Sequence, residues 1–327
     1  MAADSGTVVG GEDSLFGGRL LPLRATFYPL GYAVDILTNQ RVILDAAHES
    51  FGHRSELRRA LIPPVRIGVY PGVTPARPVE PTCRQYSGIC SLAADRDNQA
   101  LLDLGRCFSF VRLTPAAASD RLYLRYNFIE KVVYLLLGAS VVTDLHAACV
   151  SRNGKGLLLC GDSGAGKSTL AYACAREGWT YTSDDTSYLI NDSRIPRVIG
   201  HAHRVRFRPS ARELFPELED KALSPRLEGK PSIEVSTAAL PMGRTAAESP
   251  VHAVVFLRRS PGVSARLDPL SAGSAVGRLS AGLFSAGVVR AKHESGLGIL
   301  GGVPAWELHY SDLNDAIGSL EAVTRMA

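Results

Sequence analysis

Residues 147–178 read AACVSRNGKGLLLCGDSGAGKSTLAYACAREG, and three signals inside that stretch are fixed relative to one another by their spacing. Apolar residues at 147–150 and 156–160 flank Asn153-Gly154, a dipeptide that readily takes the two left-handed residues of a tight hairpin turn, so a pair of antiparallel strands is expected. Gly161-Asp162-Ser163-Gly164-Ala165-Gly166-Lys167-Ser168 follows at once and satisfies GxxxxGK[ST] in full. From Lys167, apolar positions at Leu170, Ala171, Ala173 and Cys174 carry a helix toward Gly178, where glycine can end it in the left-handed conformation.

A strand that gives way to a glycine-rich turn and then to a helix is the context in which this pattern cradles phosphate. Glycines let successive backbone N–H groups turn inward on an anion, and the helix behind them adds the positive end of its dipole. The expected ligand is ATP with Mg²⁺. Lys167 is expected to reach the terminal phosphates and the Ser168 hydroxyl to ligate the metal, with Gly161, Asp162, Ser163, Gly164, Ala165, Gly166, Lys167, Ser168 and Thr169 as the contact residues.

Two further strands, 179–183 and 187–190, bracket Asp184-Asp185. If the first returns to the sheet, these carboxylates arrive beside the loop, where phosphate transfer needs two different functions: a Mg²⁺ ligand and an acceptor for the proton of the attacking hydroxyl. Neighbouring aspartates on an extended chain point to opposite faces and so can divide those roles, whereas an Asp-Asp pair in a solvated turn would do neither. His146 opens the strand that pairs with the loop's strand, either near the carboxylates or simply as a packed residue. Arg204, Arg206 and Arg208 alternate with Val205 and Phe207, a strand with one basic face that is either solvated or in contact with a triphosphate or an acidic substrate. Lys230, in Gly229-Lys230-Pro231-Ser232, belongs to a loop that caps a site or merely turns at the surface.

Outward from this segment the signals weaken. Short apolar runs at 20–27, 65–69, 108–113 and 122–126 read as strands, 55–61 as a brief helix, and the proline-punctuated stretch 71–81 as an exposed loop. Ile129, Val132, Val133 and Leu136 follow helical spacing over 127–138, and a boundary near 140 divides a β-rich N-terminal domain, 1–140, from a second domain, 141–327. Residues 251–257 and 306–310 read as strands, and Ser311 is expected to cap a helix burying Leu313, Ile317, Leu320 and Val323.

Composition narrows the class. With 46% apolar and 21% charged residues the chain can bury a core without staples, and a net charge of +4 with no run of basic residues argues against a nucleic-acid partner. No basic stretch followed by an apolar core opens the chain, and no apolar run approaches a membrane span, so a cytoplasmic protein without membrane contact is expected. The six cysteines, at 83, 90, 107, 149, 160 and 174, include no CxxC. The last three sit among apolar neighbours as buried reduced thiols do; Cys83 and Cys90 could pair, or hold a metal with further partners, but their spacing favours neither.

Residues 146–185 resemble HPr kinase/phosphorylase and the smaller HPr-kinase-related proteins, including kinases associated with lasso-peptide biosynthesis. The likeness lies in a histidine fifteen residues before the first glycine, the loop GDSGAGKS, and an aspartate pair after the loop's helix. The resemblance implies an α/β fold like that of ATP-dependent phosphoenolpyruvate carboxykinases, with a mixed sheet and a hairpin before the phosphate loop. It implies Asp184 as general base, Asp185 as a Mg²⁺ contact and His146 as a partner of the aspartate. The acceptor it implies is a serine-type hydroxyl on a peptide, a protein or a small molecule, and a homo-oligomer stays open because relatives often assemble. Two rival readings remain: a nucleotide-binding regulatory or assembly module with little or no transfer, and a carboxykinase-like lyase acting on a small acid.

Overall fold

The computed structural model describes residues 21–73, 79–106, 108–223, 231–283 and 285–326. Leu20, Pro75, Pro78, Cys107 and Lys230 lie outside them. Contacts divide the chain into two compact units, one of residues up to Val141 together with Ala286–Ala291, the other of Val142–Ser285 together with the chain from Lys292 on.

The first unit runs β1 (Leu23–Phe27), β2 (Val34–Thr38), α1 (Arg41–Phe51), β3 (Val65–Val69), β4 (Thr82–Tyr86), β5 (Ile89–Ala93), β6 (Gln99–Asp103), β7 (Phe108–Leu113), α2 (Pro115–Ser119), α3 (Arg121–Leu124), a π-helical stretch Arg125–Glu130 and α4 (Lys131–Ser140). Its seven strands form one mixed sheet in the order β1-β2-β3-β7-β6-β5-β4. The helix expected at 55–61 is absent; the chain there is irregular, with one isolated bridge from Arg58 to Tyr32 in the connection between β1 and β2. The helix lies earlier, where Ile43, Ala47 and Phe51 recur every fourth residue and are buried. Nor is 122–126 a strand. Thr114 accepts from the Ala117 N–H and Asp120 from the Tyr123 N–H, two N-caps that start successive helical turns, and burial of Tyr123, Leu124, Phe128, Val132 and Leu136 continues the helical path.

The second unit comprises β8 (Val142–Leu145), β9 (Ala147–Arg152), β10 (Lys155–Cys160), α5 (Lys167–Arg176), β11 (Thr180–Ser183), β12 (Ser187–Ile190), β13 (Arg197–Gly200), β14 (Arg204–Phe207), β15 (Ile233–Ser236), β16 (Arg244–Thr245), β17 (Glu248–Pro250), β18 (Ala253–Arg259), β19 (Arg266–Leu270), α6 (Ala272–Ala281), α7 (Gly287–Leu297, shared between the units), β20 (Ala305–Tyr310) and α8 (Leu313–Met326). A mixed sheet of order β16-β11-β9-β10-β18-β20-β19 forms its centre, with an antiparallel four-stranded sheet, β17-β13-β12-β8, and the ribbon β14-β15 beside it. The protein is therefore a mixed α/β structure with several sheets.

Alternation along β10 fixes the two faces of the central sheet. Leu157 and Leu159 pack with Leu170 of α5 and Leu320 of α8, while Leu158 and Cys160 pack with Phe256, Leu279 and Leu297. Asn153 and Gly154 both have positive φ, 53° and 78°, as the tight β9–β10 turn requires. Strands β10, β18 and β20 are parallel, and β11, antiparallel to β9, shares their direction. The C-terminal ends of these four strands and the N-terminal end of β9 thus emerge along one edge, which brings Gly161, Asp184, Arg259, Tyr310 and His146 to the same side of the sheet. At the last helix the cap is Asp312, whose Oδ1 accepts from the Asn314 and Asp315 N–H groups; Ser311 instead donates to the Val263 carbonyl. No helix among the described residues is long and apolar enough to cross a membrane.

Candidate functional site

At the end of β10 the loop reverses on three glycines of positive φ: Gly161 at 150°, Gly164 at 93° and Gly166 at 93°. Gly166 is the N-cap of α5 and has no side chain to satisfy the first N–H groups, and no acidic residue occupies the first turn. No side-chain cap at that turn satisfies those donors or offsets the positive helix end. The far end of β20 holds the loop from behind, because the Tyr310 hydroxyl donates to the Ala165 carbonyl over 2.9 Å. A Cβ on Gly166 would stand 2.4 Å from that hydroxyl oxygen, at a φ that side chains rarely adopt. Gly166→Ala is therefore expected to lose about 1–3 kcal/mol of stability. Chemical denaturation of Gly166→Ala, Tyr310→Phe and the double variant checks this: the two losses should be clearly less than additive, since removing the oxygen relieves the clash.

Lys167 opens the helix with a side chain only 6% exposed. Its Nζ donates to the Gly161 carbonyl at 2.6 Å and the Asp162 carbonyl at 3.2 Å, and meets His146 Nε2 at 3.0 Å. Burial pushes the ammonium below its usual pKa, against the pull of Asp185. His146 is likewise pushed down, first by burial and then by the Lys167 charge, with Asp185 opposing. A neutral imidazole that accepts from Lys167 at Nε2 carries its proton on Nδ1, which faces Asp185 Oδ1 at 3.4 Å. Lysine, histidine and aspartate thus form one chain of contacts across the mouth of the loop.

Asp184 points elsewhere, as alternation requires. The residue is 7% exposed; its carboxylate accepts from the Arg206 N–H at 2.7 Å, while its backbone carbonyl accepts from the Ser168 hydroxyl at 3.3 Å. Burial pushes the carboxyl up to about 6; the Arg206 N–H favours the charged form, and the Asp185 charge adds to the rise. On β14, Arg204 and Arg206 both pair with Glu234 of β15, at 3.3 and 2.9 Å. Arg206 Nε is buried and has no hydrogen-bond partner among the described residues.

Two cavities open on the loop. One, of about 390 Å³, is lined by Gly164, Gly166, Lys167, Ser168, Thr169, Asp185, Arg206, Arg208, Glu213 and Arg259, its four cations outnumbering its two carboxylates. The other, of about 590 Å³, is lined by Gly161 and Asp162 on one side and by Leu145, Phe256, Leu257, Leu279 and Leu283 on the other, with Arg258, Arg278 and Glu307 among its polar groups. His146 and Ser163 line both.

No family model and no curated protein matches the chain. Among solved structures it is similar to the HPr(Ser) kinase/phosphatase from Coxiella burnetii, at 12% identity and a TM-score of 0.31, over 56% of this chain and 88% of that one. A likeness of that size assigns no activity, so the site's own geometry must carry any functional reading.

The structure brings His146, Lys167, Ser168, Asp184 and Asp185 together at one end of the sheet. His146 meets Asp185 rather than Asp184. Of the basic strand, Arg206 and Arg208 face the smaller cavity, and Arg204 is tied to Glu234. Three contributors escaped the reading of the sequence: Tyr310 behind the loop, Arg259 beside it and Glu234 beneath the arginines. Each belongs to an ordinary strand pattern, and only the pairing of distant strands gives it a place.

Proposed function

We propose that the protein is an ATP-dependent, Mg²⁺-requiring kinase that transfers the γ-phosphate to a serine-type hydroxyl on a peptide or protein. Its second unit would be a phosphate-loop domain of HPr-kinase type, and its β-rich first unit would recognise the acceptor. One observation carries this reading: the head of α5 is tied to the aspartate pair, Lys167 to the Asp185 carboxylate through His146, and Ser168 to the Asp184 backbone carbonyl directly. A glycine turn that only reversed the chain would need neither a buried lysine nor two carboxylates delivered by the next strand.

The residues fit the ligand. The uncapped N-terminus of α5, the buried Lys167 ammonium and the orphaned Arg206 Nε are donors that want an anion, and the Ser168 hydroxyl with the Asp185 carboxylate is a hard-oxygen pair suited to Mg²⁺. When bound, Mg²⁺ supplies neutralisation of the charge on the terminal phosphates. Lys167 exchanges its two carbonyl partners for phosphate oxygens, and Arg206 and Arg208 line the wall of the cationic cavity that takes the triphosphate. The acceptor enters the second, more apolar cavity, so that His146 and Ser163 lie where the two meet. Asp184, which lines neither cavity and whose carboxyl burial pushes up to about 6, takes the proton once the acceptor hydroxyl reaches it. His146 holds Asp185 in place through its Nδ1 proton.

The test is transfer itself: purified protein with γ-labelled ATP, Mg²⁺ and acceptors ranging from seryl peptides to free serine. Label on an acceptor hydroxyl, and none with Asp184→Asn, is the expected result. Label released only as inorganic phosphate, at equal rates in both proteins, would contradict it.

A further inference from the structure

In the first unit, β4 and β5 form a hairpin whose turn, Ser87-Gly88, has φ of 45° and 84° at its two central residues. That turn fixes the register: Cys83 stands across from Leu92 and Cys90 across from Gln85. The two cysteines are therefore diagonal neighbours on one face of the ribbon, and their sulfurs lie 3.4 Å apart. A disulfide requires about 2.05 Å, so the sulfurs need to approach by only about 1.4 Å. Strand β4 is the edge of its sheet and among the described strands pairs only with β5, with one side-chain tie from Gln85 to the Ala286 carbonyl, so it can supply that movement.

The two thiols are differently placed. Cys83 is exposed, whereas Cys90 is 1% exposed and burial pushes its thiol up to about 12. Cys149, Cys160 and Cys174 are all buried, so Cys83 is the only exposed cysteine among the described residues. An attacking thiol must be reachable, and a resolving thiol must be close; Cys83 meets the first condition and Cys90 the second.

We infer that Cys83 and Cys90 form a dithiol modification site that reacts with small disulfide compounds and closes into an intrachain disulfide. The Cys83 thiolate attacks one sulfur of a disulfide such as oxidised glutathione, forming a mixed disulfide and releasing one glutathione thiolate. Cys90 gives its proton to solvent, and its thiolate attacks the Cys83 sulfur, expelling the second glutathione. The protein dithiol is oxidised by two electrons and one glutathione disulfide is reduced to two thiols. Proximity offsets the low thiolate fraction of Cys90, because its attack is intramolecular. Closure clips the edge strand to its neighbour.

The experiment uses the full chain carrying Cys107→Ser, incubated with oxidised glutathione, then alkylated and mapped by mass spectrometry. A cross-linked peptide pair containing Cys83 and Cys90, reversed by dithiothreitol, is expected, together with slower amide exchange across β4. Cys90→Ala should trap glutathione on Cys83, and Cys83→Ser should leave Cys90 unmodified. Stable glutathione on Cys83 with Cys90 still alkylatable in the otherwise unaltered chain would overturn the inference, as would recovery of both thiols free. Neither of those readouts depends on the two variants folding.

Discussion

Asp184→Asn is expected to lose phosphate transfer by about 10²–10⁴-fold, the usual contribution of a positioned base, while making the protein more stable at neutral pH. Both effects come from the same burial. The carboxyl rises from an ordinary 3.8 to about 6 because the charged form is cut off from water. The native state then holds its proton to higher pH than the unfolded chain does. Its contribution to stability is full below about pH 4 and is lost as pH rises through about 6. Asparagine cannot ionise, and it keeps an oxygen for the Arg206 N–H. At about 1.4 kcal/mol per pH unit, the variant should gain up to about 3 kcal/mol at pH 7.5 and nothing near pH 4. Urea denaturation at the two pH values measures the gain, and wild-type transfer should fall as pH drops below about 6. Undiminished transfer in Asp184→Asn, with loss in His146→Gln, would move the base to His146, whose ring lines both cavities.

Lys167→Ala should lower transfer by about 10²–10³-fold, as expected when one preorganised charge is removed from a developing anion. The same substitution should cost the empty protein little. Lys167 is buried against two carbonyls and a histidine, with no carboxylate among the described residues within hydrogen-bonding distance of its Nζ, so removing a desolvated charge offsets the lost hydrogen bonds. The contrast appears on adding nucleotide. Saturating MgATP, at about a hundred times its dissociation constant, should stabilise the wild type by about 2.7 kcal/mol and the variant hardly at all. Melting curves with and without MgATP separate this from a loop that has simply come apart, which would lower the variant's stability without ligand.

The local grammar around the loop was legible because each signal there is short-range. Asn153-Gly154 sets the hairpin, the glycines set the reversal, and Lys167 through Gly178 set a helix; all need only neighbours in sequence. The first unit was harder to read for the opposite reason. Its sheet inserts β3 beside β7, skipping three strands, and the strand-like run at 122–126 is turned into helix by two caps, Thr114 and Asp120, that lie upstream of it. In the site, the residues recognisable in sequence were those inside a pattern. Tyr310 reaches Ala165 from 145 residues away, and Glu234 reaches Arg206 across a ribbon. No period or spacing encodes such contacts, because they exist only after the sheet has ordered its strands.

The claim on which the rest depends is that the loop from Gly161 to Ser168 binds the phosphates of a nucleotide with Mg²⁺. Calorimetric titration of the wild type and Lys167→Ala with ATP, first with Mg²⁺ and then with the metal chelated, tests it most directly. Saturable one-site binding by the wild type, weakened about a hundredfold or more by the substitution and reduced again by chelation, is the predicted result. Absence of binding by the folded wild type, or equal affinity in the two proteins, would contradict it.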